Sequence, residues 1–347
     1  MLESEREAEA LDAFLESPRG RELPTGGLLW ILRAIESRAV RRLEADHPLA
    51  IWQTDRRLAA PFIGQGRDPL ELPPAPVQVA VVFATKHREE VLFHLAMAAE
   101  RLEEGGILIL TAANDLGAGS LEKRVKELFG SCEPFSKHKC RVLYAVKKVE
   151  SLDPELQKSW LAQGDLRPTG PEGLWSCPGI FSWKRPDDGS RFLLDFIPDR
   201  LSGHGADFGA GNGFLAKSLL SRNPGVTAFD LLEVEKKALD AARKNLASGE
   251  PSSCPLNYHW TDITQGSGLS GLDFIVMNPP FHAERGSIPV LGQRFIGEAL
   301  QALRFGGKLF MVANRHLPYE ATFSSTRGVL KRRSEASGFK VLEVEKR

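Results

Sequence analysis

The chain has 347 residues, 42% hydrophobic and 26% charged, an ordinary globular composition long enough for two domains. Its 45 Lys and Arg balance 45 Asp and Glu, yet residues 1–180 carry 23 basic against 27 acidic (−4) and residues 181–347 carry 22 against 18 (+4), so a nucleic-acid partner would meet mainly the second half. No apolar run approaches the roughly 18 residues of a membrane span, the acidic start from Met1 to Glu16 is no signal peptide, and Cys132, Cys140, Cys177 and Cys254 form no CxxC pair. A cytoplasmic protein with no membrane segment, zinc site or disulfide framework is expected.

Residues 2–16 alternate acids with Leu and Ala at spacings that permit a short helix. From Gly27 to Leu43, the apolar positions Leu28, Leu32, Ile35, Val40 and Leu43 predict a helix, and residues 49–52 after Pro48 a strand. Pro73, Pro74 and Pro76 mark a loop before a strand at 77–84. A helix follows from about Glu89 to Glu103, then Gly105-Gly106 and a buried strand at 107–110. This β-α-β order implies a parallel sheet with a crossover helix, although no acid-x-Gly-x-Gly stretch precedes it. Two basic clusters, Lys86-His87-Arg88 past a strand end and Lys137, His138, Lys139 and Arg141 ahead of a strand at 142–146, suit RNA phosphate. They equally suit a solvated loop and an edge strand that discourages pairing. Pro, Gly and polar residues thicken between Asp153 and Pro178, and the domain boundary is placed near Gly173, dividing the chain into 1–172 and 173–347.

The run from Gly205 to Phe214, Gly-Ala-Asp-Phe-Gly-Ala-Gly-Asn-Gly-Phe, precedes a helix at 215–220. Gly209, Gly211 and Gly213 let the backbone turn tightly and approach a ligand, and the free N–H groups of a helix start favour a carboxylate or phosphate. Asp207, at a strand end, suits a ligand's amino group. The same loop satisfies the dinucleotide pattern Gly211-x-Gly213-x-x-Ala216 with an acid downstream, so taken alone it leaves both cofactor classes open. A second strand is expected at 226–232 and a helix at 235–246. Glu233, 20 residues beyond Gly213, is placed to take both ribose hydroxyls. Asp230 competes, but it lies within the strand and needs a loop or a buried partner. A third strand, 256–260, ends in Thr261-Asp262.

The chemistry concentrates from Asp273 to His282, Asp-Phe-Ile-Val-Met-Asn-Pro-Pro-Phe-His. Residues 274–277 read as a buried strand that two prolines stop at Asn278. The Asn278 side-chain oxygen and the Pro279 carbonyl are two acceptors suited to a planar amino group. A nucleobase amino nitrogen is a poor nucleophile, and two such acceptors favour the positive charge that develops as it attacks a methyl group. Phe281 supplies a flat apolar face, worth about 1–3 kcal/mol per stacked base. Asp207 ahead of the glycines and this motif on a later strand favour S-adenosyl-L-methionine over a dinucleotide. A polar loop at 282–287, a helix at about 291–303 and a strand at 309–313 follow. Arg315 then lies on the same rim as Asn278, where it suits a phosphate or the target base. Lys331-Arg332-Arg333 reads as a solvated helix face, and 341–344 as the strand completing the sheet.

Asn278-Pro279-Pro280-Phe281 resembles the amino-methyltransferase motif of S-adenosylmethionine-dependent enzymes. With His282 and the segment Val-Ala-Asn-Arg-His-Leu-Pro-Tyr at 312–319, it is similar to that of the bacterial rRNA guanine-N2 methyltransferases. The resemblance covers most of the chain, most strongly from about Gly173. It implies an α/β fold of two tandem Rossmann-like methyltransferase domains. The first is degenerate, without cofactor binding, and serves substrate recognition or stability; the second is a catalytic class I domain. It implies methylation of a guanine N2 in ribosomal RNA, free or in a ribosomal subunit, with Asn278, Pro279 and Phe281 catalytic. Asp207, the three glycines, Glu233, Asp262 beside the adenine, and Asn278 would face the cofactor, and Phe281, His282 and Arg315 the substrate. A similar motif serves adenine N6 and protein glutamine amides, and two dead domains would make a non-catalytic RNA-binding or ribosome-assembly protein. The intact Asp207, glycine loop and Asn278 count against the last reading.

Overall fold

The computed structural model describes residues 3–73, 76–247, 254–280 and 288–347. The chain forms two compact units, one of residues 1–165 with 177–179 and one of residues 166–176 with 180–347.

The first unit is built on six strands, β1 (Leu29–Leu32), β2 (Leu49–Trp52), β3 (Val77–Phe83), β4 (Leu102–Ala113), β5 (Glu133–Lys137) and β6 (Cys140–Val146), in the order β2-β1-β3-β4-β6-β5. The first four run parallel, β6 is antiparallel to β4, and β5 to β6. The helix expected over 27–43 is replaced by β1 and a later helix, Arg38–Asp46, capped by Ser37. All four β1 side chains are buried, two on each face of the sheet, and a short run apolar on both faces has the same pattern in a helix as in a central parallel strand. The acidic N-terminal segment is the helix Glu3–Leu15, which buries Leu11 and Phe14 beside Ile31 and Val79. Its Glu7 accepts a hydrogen bond from the Ala113 amide at 3.0 Å. The cluster Lys137-His138-Lys139 is the tip of the β5–β6 hairpin, with His138 and Lys139 at φ of 51° and 58°.

The second unit opens with the hairpin β7 (Arg167–Thr169) and β8 (Leu174–Ser176). Its sheet comprises β9 (Ser202–Phe208), β10 (Gly225–Glu233), β11 (Leu256–Trp260), β12 (Leu272–Met277), β13 (Leu303–Asn314), β14 (Gly328–Ala336) and β15 (Phe339–Lys346), in the order β11-β10-β9-β12-β13-β15-β14. The first five are parallel, β15 is antiparallel to β13, and β14 to β15. Helices Phe214–Arg222, Lys236–Ala247 and Ile288–Ala302 make crossovers, and the sheet is apolar on both faces. The winding reverses between β9 and β12, which opens a crevice at their carboxyl ends. Both units are therefore doubly wound, Rossmann-like α/β sheets.

Lys331-Arg332-Arg333 lies on the edge strand β14 and not on a helix. Its charges pair with Glu345 at 3.0 Å, Glu343 at 3.3 Å and Glu320 at 2.8 Å. An exposed edge strand of this kind shows little of the apolar alternation that marks a strand in sequence.

Candidate functional site

Strand β9 delivers Asp207 and Phe208 to the crevice, and the chain then turns through Gly209, Gly211 and Gly213 at φ of 86°, 54° and 79°. A Cβ on Gly213 would sit 3.0 Å from Ala242, so that glycine serves helix packing. A Cβ on Gly211 would meet nothing within 4 Å, and one on Gly209 only Phe295 at 3.8 Å. Those two glycines border open space where a ligand can come against the backbone. The helix Phe214–Arg222 starts at Gly213 without a side-chain cap, which leaves its first amides for an anion.

Asp207 is fully buried, and among the described residues neither carboxylate oxygen has a hydrogen-bond partner. Burial, and then the charge of Glu233, push its carboxyl up to about 8; the Ala216 amide offsets this a little without reaching hydrogen-bond geometry. A buried carboxyl with no partner is costly in a closed fold, and a cationic ligand group would relieve it. Glu233, at the end of β10, accepts from the Gly211 amide at 2.8 Å on one oxygen and from Val234 and Glu235, each at 2.9 Å, on the other. Burial nevertheless raises its pKa. Two carboxylates and a glycine loop thus meet at the ends of neighbouring strands.

Asp230, the alternative to Glu233, is held elsewhere. It is 2% exposed, bonds His204 Nε2 through Oδ2 and lies 2.6 Å from His259 Nε2 through Oδ1. Asp262 caps its own 3-10 turn, its Oδ1 accepting from the Thr264 amide at 3.0 Å and hydroxyl at 2.7 Å.

Asn278 follows β12 directly, and β12 pairs with β9 so that Val276 stands opposite Asp207. Its Nδ2 donates to Asp187 Oδ2 at 2.9 Å and to Ser190 Oγ at 2.8 Å. Pro279 is buried and Pro280 exposed, while Phe281 and His282 lie outside the described residues. On the same rim, Arg315 is exposed, and its backbone amide is fixed to the Gly338 carbonyl at 2.9 Å. The loop behind it is pinned by Lys340, 2% exposed, whose Nζ donates to the Leu317 carbonyl at 2.5 Å and to both Glu320 oxygens at 2.8 Å. The structure therefore brings Asp207, the glycines, Glu233 and Asn278 to one end of the sheet, with Asp262 and Arg315 beyond neighbouring strands.

Reading the sequence missed Asp187, Ser190 and Lys340. An Asp three residues ahead of a Ser, opening an apolar-periodic stretch, is a helix N-cap signal, and it was available at Asp187. Nothing local marks Lys340, because its partners are 20 or more residues away.

Comparison with known proteins follows the division of the structure. Residues 172–343 match the methyltransferase small domain model and residues 65–163 its N-terminal counterpart. A ribosomal RNA small subunit methyltransferase C from Shewanella amazonensis is 31% identical over 78% of this chain and 77% of its own length. One of the same description from Psychromonas ingrahamii is 29% identical over 76% and 74%. A T. thermophilus 16S rRNA guanine-N2 methyltransferase, solved with AdoMet and guanosine, covers 98% of this chain and 92% of its own with a TM-score of 0.80 at 21% identity, which shows a shared fold.

Proposed function

The chain belongs to the ribosomal RNA small subunit methyltransferase C family, and from that premise we propose that it transfers a methyl group from S-adenosyl-L-methionine to the exocyclic N2 of a guanine in small-subunit ribosomal RNA. The observation that carries the reading within the structure is the Asp207 carboxyl, buried without a partner among the described residues, beside a glycine loop and next to the strand that ends in Asn278. The donor set fits the cofactor. Asp207 would accept from its ammonium, the first amides of helix Phe214–Arg222 would hold its carboxylate, Glu233 would take the ribose hydroxyls, and Asp262 would face the adenine. When bound, the cofactor supplies an electrophilic methyl group on a sulfonium that leaves as a neutral thioether.

The chain's own contribution is position and charge. Asn278 Oδ1 and the Pro279 carbonyl accept from the target amino group and stabilise the positive charge that develops on its nitrogen. No side chain has to remove a proton beforehand, because the methylated nitrogen is acidic enough to lose one to water. Phe281 stacks on the base, and His282 and Arg315 hold the nucleotide, which must leave its stack to reach the crevice. The first unit contributes substrate recognition and stability. No helix among the described residues is long and apolar enough to cross a membrane.

The test is methyl transfer from labelled donor to small-subunit rRNA, free and assembled, with digestion to nucleosides. N2-methylguanosine is the expected product; N6-methyladenosine, or label on protein, would overturn the reading. Asn278→Ala is expected to slow single-turnover transfer by about 100- to 1000-fold with donor affinity unchanged, as for other single preorganised electrostatic partners.

A further inference from the structure

We propose that Asp187 and Ser190 are positioning residues for methyl transfer: they hold the Asn278 carboxamide with its oxygen toward the target amino group, and the Asp187 charge makes that oxygen a stronger acceptor. The inference rests on the reading of Asn278 as the group that grips the amino nitrogen.

A carboxamide can be turned over at little cost, and turned over it would present two donors to an amino group that is itself a donor. The environment of Asn278 forbids this. A carboxylate accepts only, so the group facing Asp187 Oδ2 at 2.9 Å must be the NH2 end. The second amide proton goes to Ser190 Oγ at 2.8 Å, so both protons of Nδ2 are committed, and among the described residues no donor takes Oδ1, the atom assigned to the substrate. The bond to Asp187 is charge-assisted. It draws the amide toward its dipolar resonance form, which places more negative charge on Oδ1, where positive charge will later develop.

The local sequence accounts for this clamp residue by residue. Asp187 is the N-cap of the helix Asp188–Phe196, and the same Oδ2 that holds Asn278 accepts from the Ser190 amide at 3.1 Å. The helix start thereby fixes the carboxylate before any substrate arrives. A side chain at position 189 would place its Cβ 2.9 Å from Asp187 Oδ2, so Gly189 keeps the carboxylate's seat clear. Ser190 is 8% exposed, which shields its bond to Asn278 from competition with water.

The test is single-turnover methylation of small-subunit rRNA beside titration with S-adenosylhomocysteine, on the full chain. Asp187→Asn keeps an oxygen for the Ser190 amide and for Asn278 but removes the charge; transfer should slow by about 10-fold or more, with donor affinity and RNA KM within about 2-fold. Ser190→Ala leaves the cap intact and frees one amide proton, and should slow transfer by roughly 3- to 10-fold. Asn278→Asp sets two carboxylates side by side and should be nearly inactive. Adding Asp187→Asn to it removes the clash and restores a donor–acceptor pair with the roles exchanged, while losing the bond from the Ser190 amide, and should recover at least about 10-fold over Asn278→Asp alone. Relief of the charge clash would also restore a merely unfolded chain, so the rescue bears on positioning when Asn278→Asp and the double variant share the same melting temperature and differ in rate. Parental rates in Asp187→Asn and Ser190→Ala beside a slow Asn278→Ala, or a double variant no faster than Asn278→Asp, would overturn this inference alone. A parental rate in Asn278→Ala would remove the reading of Asn278 and this inference with it.

Discussion

The two units carry the same winding and differ where it matters, at the carboxyl ends of three neighbouring strands. In the first, β1 lies between β2 and β3; in the second, β9 lies between β10 and β12. Ile31 stands opposite Ile51 and Val81, as Asp207 stands opposite Leu231 and Val276. Carrying that register forward, Arg33 takes the place of Gly209, Gln53 that of Glu233, and Phe83 that of Asn278. Every group that suits a cofactor or an amino group has been replaced by one that closes the space. Ile31 is apolar where Asp207 is an unpartnered acid. Gln53 is fully buried and spends both ends on the chain, donating to the Ala34 carbonyl at 2.7 Å and accepting from the Asp55 amide at 2.9 Å. Arg33 reaches Thr54 Oγ1 at 2.5 Å and lies 4.0 Å from the buried Glu90. The fold is compatible with either outcome, and a few strand-end side chains decide between a site and a core.

The sharpest test of that contrast is at Asp207. Asp207→Ala removes the carboxylate proposed to meet the donor's ammonium and should weaken S-adenosylhomocysteine by about 10- to 100-fold in calorimetry. The parent should bind near one equivalent per chain, and two equal sites would break the comparison. The pH dependence carries a sign. With a pKa near 8 in the donor-free fold against an ordinary value of 3.8, Asp207 keeps its proton when folded and loses it when unfolded across that interval. Stability of the donor-free protein should therefore fall as pH rises from about 4 toward 8, and Asp207→Asn should flatten the slope. An ammonium ligand favours the carboxylate, so donor affinity should rise over the upper part of that window. A pH-independent affinity in the parent would show that Asp207 does not meet the donor.

That asymmetry was legible in the second half because the loop proposed for the cofactor and the turn proposed for the amino group both leave local marks: three glycines behind Asp207, and two prolines behind Asn278. The first half was harder to read. Its equivalent loop follows β1, and four consecutive buried residues, Leu29–Leu32, give no period that separates strand from helix. Contacts that span the chain, such as Asp187 with Asn278 or Asp230 with two histidines on flanking strands, leave no spacing to read at all.

A smaller effect is expected from reversing the substitution at the matched turn. Arg33→Gly would relieve a left-handed backbone at φ 58°, worth about 1 kcal/mol, but would remove the cation 4.0 Å from Glu90, which is 2% exposed and keeps a hydrogen bond from the Thr85 hydroxyl at 2.7 Å. Breaking a buried ion pair costs about 3–5 kcal/mol, so a net loss of roughly 2–4 kcal/mol in denaturant unfolding is expected. Donor stoichiometry should stay at one, because Ile31 and Gln53 still close the space. Appearance of a second site would mean that Arg33 alone had been excluding the cofactor.

The smallest expected effect is at the counterpart, Gly209. Its φ of 86° lies beyond the left-handed well that other residues tolerate, whereas Arg33 at 58° lies inside it. The same turn is thus open to a side chain in one unit and reserved for glycine in the other. A Cβ at Gly209 would meet only Phe295 at 3.8 Å, ordinary contact, so Gly209→Ala should suffer backbone strain without a clash. About 1 kcal/mol is expected, a fall of roughly 2–4 °C in the melting temperature of the second unit. The added methyl also borders the space assigned to the donor, and affinity for S-adenosylhomocysteine should drop by a few-fold, well short of the loss at Asp207. If Gly209→Ala melts with the parent, the turn does not require glycine, and the difference between the units at this position reflects only the space that Arg33 fills.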